Sequence, residues 1–168
     1  MSRKSKASKL AFGVPTVQDI EFVTENIRQS DRDDISGIWP DMSVFEVVMR
    51  DVEKSKLVYG LYFGDIPYAV FGVIPASVSS VGIPWVVGTK SVDRNALTFV
   101  RASRSLVEML QMSFPIFETF VCTQNSKSIH WHRWCGFKYE NEKIKIGRDY
   151  YYRATRVATE KLSKRGDK

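Results

Sequence analysis

Between Pro115 and Phe137 the chain changes its structural period twice, and this stretch limits the possible architectures more than any other. Pro115–Cys122 is a mostly apolar run of strand length, followed by Asn125-Ser-Lys-Ser-Ile-His-Trp-His-Arg-Trp-Cys and then Gly136-Phe137. Asn is a favoured helix-opening residue, and a glycine just past a helix end tolerates the left-handed backbone that stops it. The reading is a buried strand, a capped amphipathic helix over 125–135 and a glycine stop that launches another strand. A strand, a crossover helix and a further strand in so short a span demand a mixed sheet with at least one helix packed on it.

Upstream, Lys9–Val14 reads as a strand stopped by Pro15. Thr16-x-x-Asp19 opens a helix carrying Ile20, Val23 and Ile27 at helical spacing, and Ser43-x-x-Glu46 is a capping box opening a second helix to Lys54. The polar segment Gln29-Ser-Asp-Arg-Asp-Asp34 between them is expected to turn. Leu57–Phe63 and Tyr68–Ile74 are strands joined by a Gly64-Asp65 hairpin turn, and Ile83–Val87 is a third. Val92–Met112 carries one apolar stripe and reads as a single long helix, and Phe137–Ile146 with Tyr150–Val157 closes the chain as a hairpin around Gly147. The expected order is β-α-α-β-β-β-α-β-α-β-β, an α/β (α+β) mixed sheet with helices on both faces.

The 168 residues, 43% apolar and 26% charged, suit one globular domain, here 10–157. The apolar stretch Ile66–Gly88 is broken by Pro67, Pro75 and Pro84, so it is expected to form strands rather than a membrane span. No leader pattern opens the sequence, and Cys122 and Cys135, without C-x-x-C spacing, read as structural thiols in a reduced cytoplasm. The net charge of +6 divides into +4 on residues 1–9 and +2 on 160–168, leaving the body without net charge. Basic tails on a neutral body are expected to be disordered, or to serve as arms for non-specific, salt-sensitive contact with nucleic acid or an acidic protein.

The run from Pro115 to Phe137, with the element order over residues 10–157, resembles the acetyl-coenzyme A binding half of the GNAT acyltransferase fold. The resemblance implies that the strand Ile83–Val87 splays from Pro115–Cys122 and that a pantetheine lies in the gap. It makes Asn125 the helix-opening Asn that contacts the cofactor, although capping alone explains an Asn there. His132 takes the position where many members place a Tyr that protonates the leaving thiolate. A histidine suits acid work near neutrality, yet the bulky His130-Trp131-His132-Arg133-Trp134 run suits packing or a partner surface equally well.

Family enzymes carry a glycine-rich pyrophosphate loop ahead of the long helix, because bare backbone N–H groups must approach the phosphates. The matching segment, Gly88-Thr-Lys-Ser-Val-Asp-Arg-Asn-Ala96, has no glycine after Gly88, and Asp93 adds a negative charge there. Lys90 and Arg94 are the cations available to offset it. Ordinary coenzyme A binding is therefore not expected; if the chain is an enzyme, its donor is acetyl-coenzyme A or a related acyl-coenzyme A. The strands offer no Glu as a base, and Asp34 and Glu46, on the helical side, read as solvated or capping charges.

A narrower resemblance rests on Ile27-Arg28-x-x-Asp31-x-x-Asp34-Ile35, then Ala69–Val73, Trp85, Asn125 and Gly136-Phe137. This pattern is similar to small GNAT-like proteins of short-tailed, T7-type bacteriophages, the internal virion protein A type. It implies a role in virion assembly inside the infected bacterium, with protein partners that include virion components. Arg28, Asp31 and Asp34 are then either an ion-pair network organising the cleft or a polar loop.

Overall fold

The computed structural model describes residues 10–159; both basic tails lie outside them, and so do the expectations placed on those tails. Seven strands, β1 (Leu10–Gly13), β2 (Leu57–Phe63), β3 (Ile66–Pro75), β4 (Val81–Gly88), β5 (Ile116–Cys122), β6 (Lys138–Ile146) and β7 (Asp149–Val157), form one sheet in the order β1-β2-β3-β4-β5-β7-β6. All neighbours are antiparallel except β4 and β5, which run parallel and pair only at Val81↔Ile116 and Gly82↔Phe117. Beyond that short register the two strands part, as the resemblance implied.

The helices are α1 (Val17–Glu25), α2 (Gln29–Ile38), α3 (Val44–Lys54), α4 (Lys90–Arg94), α5 (Ala96–Gln111) and α6 (Ser126–Trp134). Strand β3 is buried on both faces, so alternate residues feed two cores. Val70 packs with Ile20, Val23 and Ile27 of the α1 segment and Val48 of α3. Ala69, Phe71 and Val73 point the other way, toward Phe99, Leu106 and Leu110 of α5 and Cys135 at the end of α6. Both capping boxes form, Thr16 with Asp19 and Ser43 with Glu46.

Two expectations are corrected. Residues 29–34 do not turn; they are the first turns of α2. No apolar period marks them, because the helix is held by polar contacts: Gln29 Nε2 donates to Asp33 Oδ1 one turn on (2.7 Å), and Asp31 sits at the positive end of the dipole. The helix expected over 92–112 is two. Asn95 leaves helical geometry (φ −123°, ψ 40°) while its side-chain amide donates to the Ser91 carbonyl at 3.2 Å, which ends α4 and lets α5 start on a new axis.

The end of α6 follows the glycine expectation. Gly136 has φ +90°, its N–H donates to the Arg133 carbonyl, and the Phe137 N–H donates to the His132 carbonyl at 2.9 Å. This paired arrangement needs the left-handed backbone at its centre. Gly136→Ala is expected to cost about 1–2 kcal/mol, read as a lowered urea midpoint with an unchanged slope.

Candidate functional site

The parted ends of β4 and β5 open a cleft of about 730 Å³. Trp85 and Val86 of β4 face Thr119 of β5 across it, while Phe99 and Leu106 of α5 and Trp131 and His132 of α6 line its other walls. The α6 side is rigid. Trp131 stacks on Phe99 with centroids 6.0 Å apart, and its indole N–H donates to the buried Ser103 hydroxyl at 2.9 Å.

Helix α2 crosses the open end and reaches both strands. Asp31 and Asp34 are one turn apart and share a face of α2. Asp31 Oδ2 accepts from the Gly88 N–H at the end of β4 (2.8 Å) and from Arg28 Nε (2.8 Å). Asp34 Oδ2 accepts from Asn125 Nδ2, just past β5, at 2.8 Å. Arg28, Asp31 and Asp34 are thus an organised network at the cleft and not a free polar loop. Burial pushes the Asp31 carboxyl up, although the Arg28 guanidinium and the Gly88 amide pull it down. Burial likewise raises Asp34, to about 6, against the Asn125 hydrogen bond. The expectation that Asp34 is a solvated or capping charge is therefore corrected, because α2 folds it inward. Glu46 is the cap of α3, its carboxylate accepting the Ser43 N–H at 2.7 Å.

Asn125 caps α6 by accepting the Ser128 N–H at 3.0 Å while its amide holds Asp34. His132 lies on the cleft wall, its ring edge-on to Trp131 (4.8 Å) and to Phe137 (5.0 Å). Its Nδ1 donates to the Ser128 carbonyl at 2.8 Å, which assigns the proton of the neutral ring to that nitrogen. Enclosure lowers its pKa to about 4, so near neutrality the imidazole carries no proton to give and its one N–H is engaged. This arrangement suits packing better than acid catalysis.

Lys90 and Arg94 are exposed on α4 and are not among the residues lining the cleft. The cations that do line it are Arg28, whose guanidinium lies 5.9 Å from the centre of the Phe99 ring, and Lys127, which spans the mouth to Asp93 at 3.7 Å. Sequence reasoning missed Lys127, and no local pattern singles it out. Arg28 stood in a motif but gave no sign that it reaches the end of β4.

The gap between the strands is wide enough for a pantetheine arm, but the adjoining backbone does not fit a pyrophosphate. The Gly88 N–H is held by Asp31, the Thr89 N–H by the Tyr68 carbonyl (3.0 Å) and the Lys90 N–H by the Asn26 carbonyl (3.0 Å). A side chain at Gly88 has no room either, since its Cβ would lie 2.8 Å from Val92 Cγ2. Where the fold family presents free main chain, this turn is tied into its own protein.

No family model matches the chain, and no curated protein does. Solved structures match its fold. The aminoglycoside acetyltransferase AAC(6')-Ib, in complex with ribostamycin and coenzyme A, aligns at TM-score 0.68 and 14% identity, covering 95% of this chain and 99% of that one. A spermidine N-acetyltransferase from Vibrio cholerae, with coenzyme A and spermine, aligns at 0.62 and 13%, covering 89% and 96%. A GNAT-family acetyltransferase from Bacillus anthracis aligns at 0.64 and 16%, covering 90% and 96%. The chain has the GNAT acetyltransferase fold over nearly its whole length; at these identities the likeness is one of fold. Among the described residues no helix is long and apolar enough to cross a membrane.

Proposed function

We propose that this chain is a GNAT-fold protein that acts by binding protein partners, in the virion-assembly role that its resemblance to T7-type phage proteins implies, within the infected bacterial host. The observation that supports a binding role over ordinary acetyl-coenzyme A chemistry is the engagement of three successive amides, at Gly88, Thr89 and Lys90, by its own side chain and carbonyls. Opening them for a phosphate would cost three internal hydrogen bonds, each of net value about 1 kcal/mol, with Asp31 left buried and facing the anion. Calorimetric titration of the full chain with acetyl-coenzyme A and with coenzyme A is expected to show no binding in the micromolar range. Micromolar or tighter binding of either overturns this reading.

A second reading, acyl transfer from an acyl-coenzyme A, is favoured by one observation: a carboxyl with a pKa of about 6 lines the cleft at the parted strands. At neutral pH Asp34 is mostly ionised, and a carboxylate so placed can take the proton of an attacking amine. This reading requires turnover with an acyl-coenzyme A that drops at least about a hundredfold in Asp34→Asn. Wild-type chain that gives no turnover removes it.

A further inference from the structure

We propose that a second cavity, between α2 and the adjoining ends of β5 and β7, is a binding site for a primary alkylammonium group, the head of a lysine side chain or of a free amine. It encloses about 350 Å³ beside the cleft, and Asp33 and Asp34 of α2 and Asp149 of β7 line it, with Cys122 and Gln124 on the β5 side. Among the described residues none of these three carboxylates is in an ion pair, and the one cation on the wall, Lys127, is paired with Asp93. Asp33 accepts from Gln29 and Asp34 from Asn125, so each keeps acceptor capacity, while Asp149 has no hydrogen-bond partner among the described residues.

An independent observation points to the same space. Tyr151 is 2% exposed, and its hydroxyl is the only buried side-chain polar atom among the described residues without a partner. The register places Tyr151 opposite Cys122, and Asp149 two residues before it on the same face. A Cβ on Gly37 of α2 would lie 3.0 Å from Asp149 Oδ2 and 3.5 Å from the Tyr151 hydroxyl, so both oxygens look onto the same space beneath α2. Cys122, Asp34 and Asp149 are the neighbours that, with burial, raise its pKa, and all three line the cavity.

An orphaned buried hydroxyl in an otherwise satisfied structure calls for a partner. The cavity offers carboxylates and a phenol oxygen, acceptors on several sides. An ammonium has three donors and no acceptor, a compact charge, and an apolar stem to fill remaining space. The carboxylates do not converge as a metal site, since among the described residues no group of His, Cys, Asp or Glu is arranged to hold an ion. The site asks only for binding, so it stands whether or not the neighbouring cleft takes a coenzyme A.

Nitrogen-15 labelled full chain is titrated at neutral pH with butylammonium, with Nα-acetyl-lysine methylamide, and with tetramethylammonium, which has the charge but no N–H. Saturable shifts at the Gly37, Asp149 and Tyr151 amides are expected with the first or second probe, with dissociation constants in the millimolar range. Binding of the lysine analogue alone names a protein side chain as the occupant; binding of both shows that a free amine suffices. Asp149→Asn and Tyr151→Phe are each expected to weaken binding about tenfold, and Asp33→Asn, on the exposed side of α2, serves if the first fails to fold. An equal response to tetramethylammonium, no response to either amine, or an affinity unchanged by both Asp149→Asn and Asp33→Asn overturns the proposal.

Discussion

Arg28→Ala is expected to destabilise the chain by about 3–5 kcal/mol, a large part of the stability of a domain this size. The loss comes from what is left behind. Asp31 is 8% exposed, and its carboxylate would keep only the Gly88 N–H to balance a buried negative charge. The variant recovers at low pH, because a protonated Asp31 needs no counter-charge. Arg28→Met combined with Asp31→Asn is expected to restore most of the loss, since the Asn carbonyl still accepts from Gly88 and no charge stays buried. Urea unfolding of the three variants at about pH 5 and about pH 8 checks this; an Arg28→Ala change below about 1 kcal/mol at the higher pH would falsify the network.

Asp34→Asn is expected to stabilise the protein by about 2 kcal/mol near pH 8 and to change little near pH 4. The folded chain holds the Asp34 proton up to about pH 6, whereas an ordinary aspartate releases it near 3.8. Between those values the folded state is the more protonated, so stability is present below the window and is lost as pH rises through it. The shift corresponds to at most about 3 kcal/mol, reduced to about 2 because the side chain is partly open to solvent. Asn at this position still accepts from Asn125 and carries no charge to desolvate.

His132 works in the opposite direction. Its folded pKa of about 4 lies below the ordinary 6.5, so stability is full above that window and falls as pH drops from 6.5 to about 4. The two groups offset each other in the wild type. The Asp34→Asn variant should therefore show a steeper rise in stability between about pH 4 and 6.5, of about 2–3 kcal/mol. Parallel wild-type and variant profiles would show that Asp34 is not held protonated by the fold.

Much of the fold was legible because its signals are local. Thr16 with Asp19 and Ser43 with Glu46 cap the helices that their spacing announces, and Gly136 ends α6 by a backbone angle that glycine adopts at little cost. Strand β3 and the stripe on α5 bury the residues their periods assign. The absence of glycine after Gly88 likewise showed that the pyrophosphate loop of the fold family is not copied.

The site was legible only in part. Arg28, Asp31 and Asp34 were read as a cluster, but α2 itself was read as a turn, since a helix held by polar contacts leaves no apolar period in the sequence. That Asp31 reaches Gly88, 57 residues away, that Asp34 reaches Asn125, 91 residues away, and that Lys127 faces Asp93 all depend on three-dimensional approach. Local chemistry thus set the elements, their ends and the parted strands of the sheet. The burial that lifts Asp34 and lowers His132, and the pairing that closes the backbone at residues 88–90, came from packing, because desolvation and long-range hydrogen bonds depend on neighbours that no stretch of sequence contains.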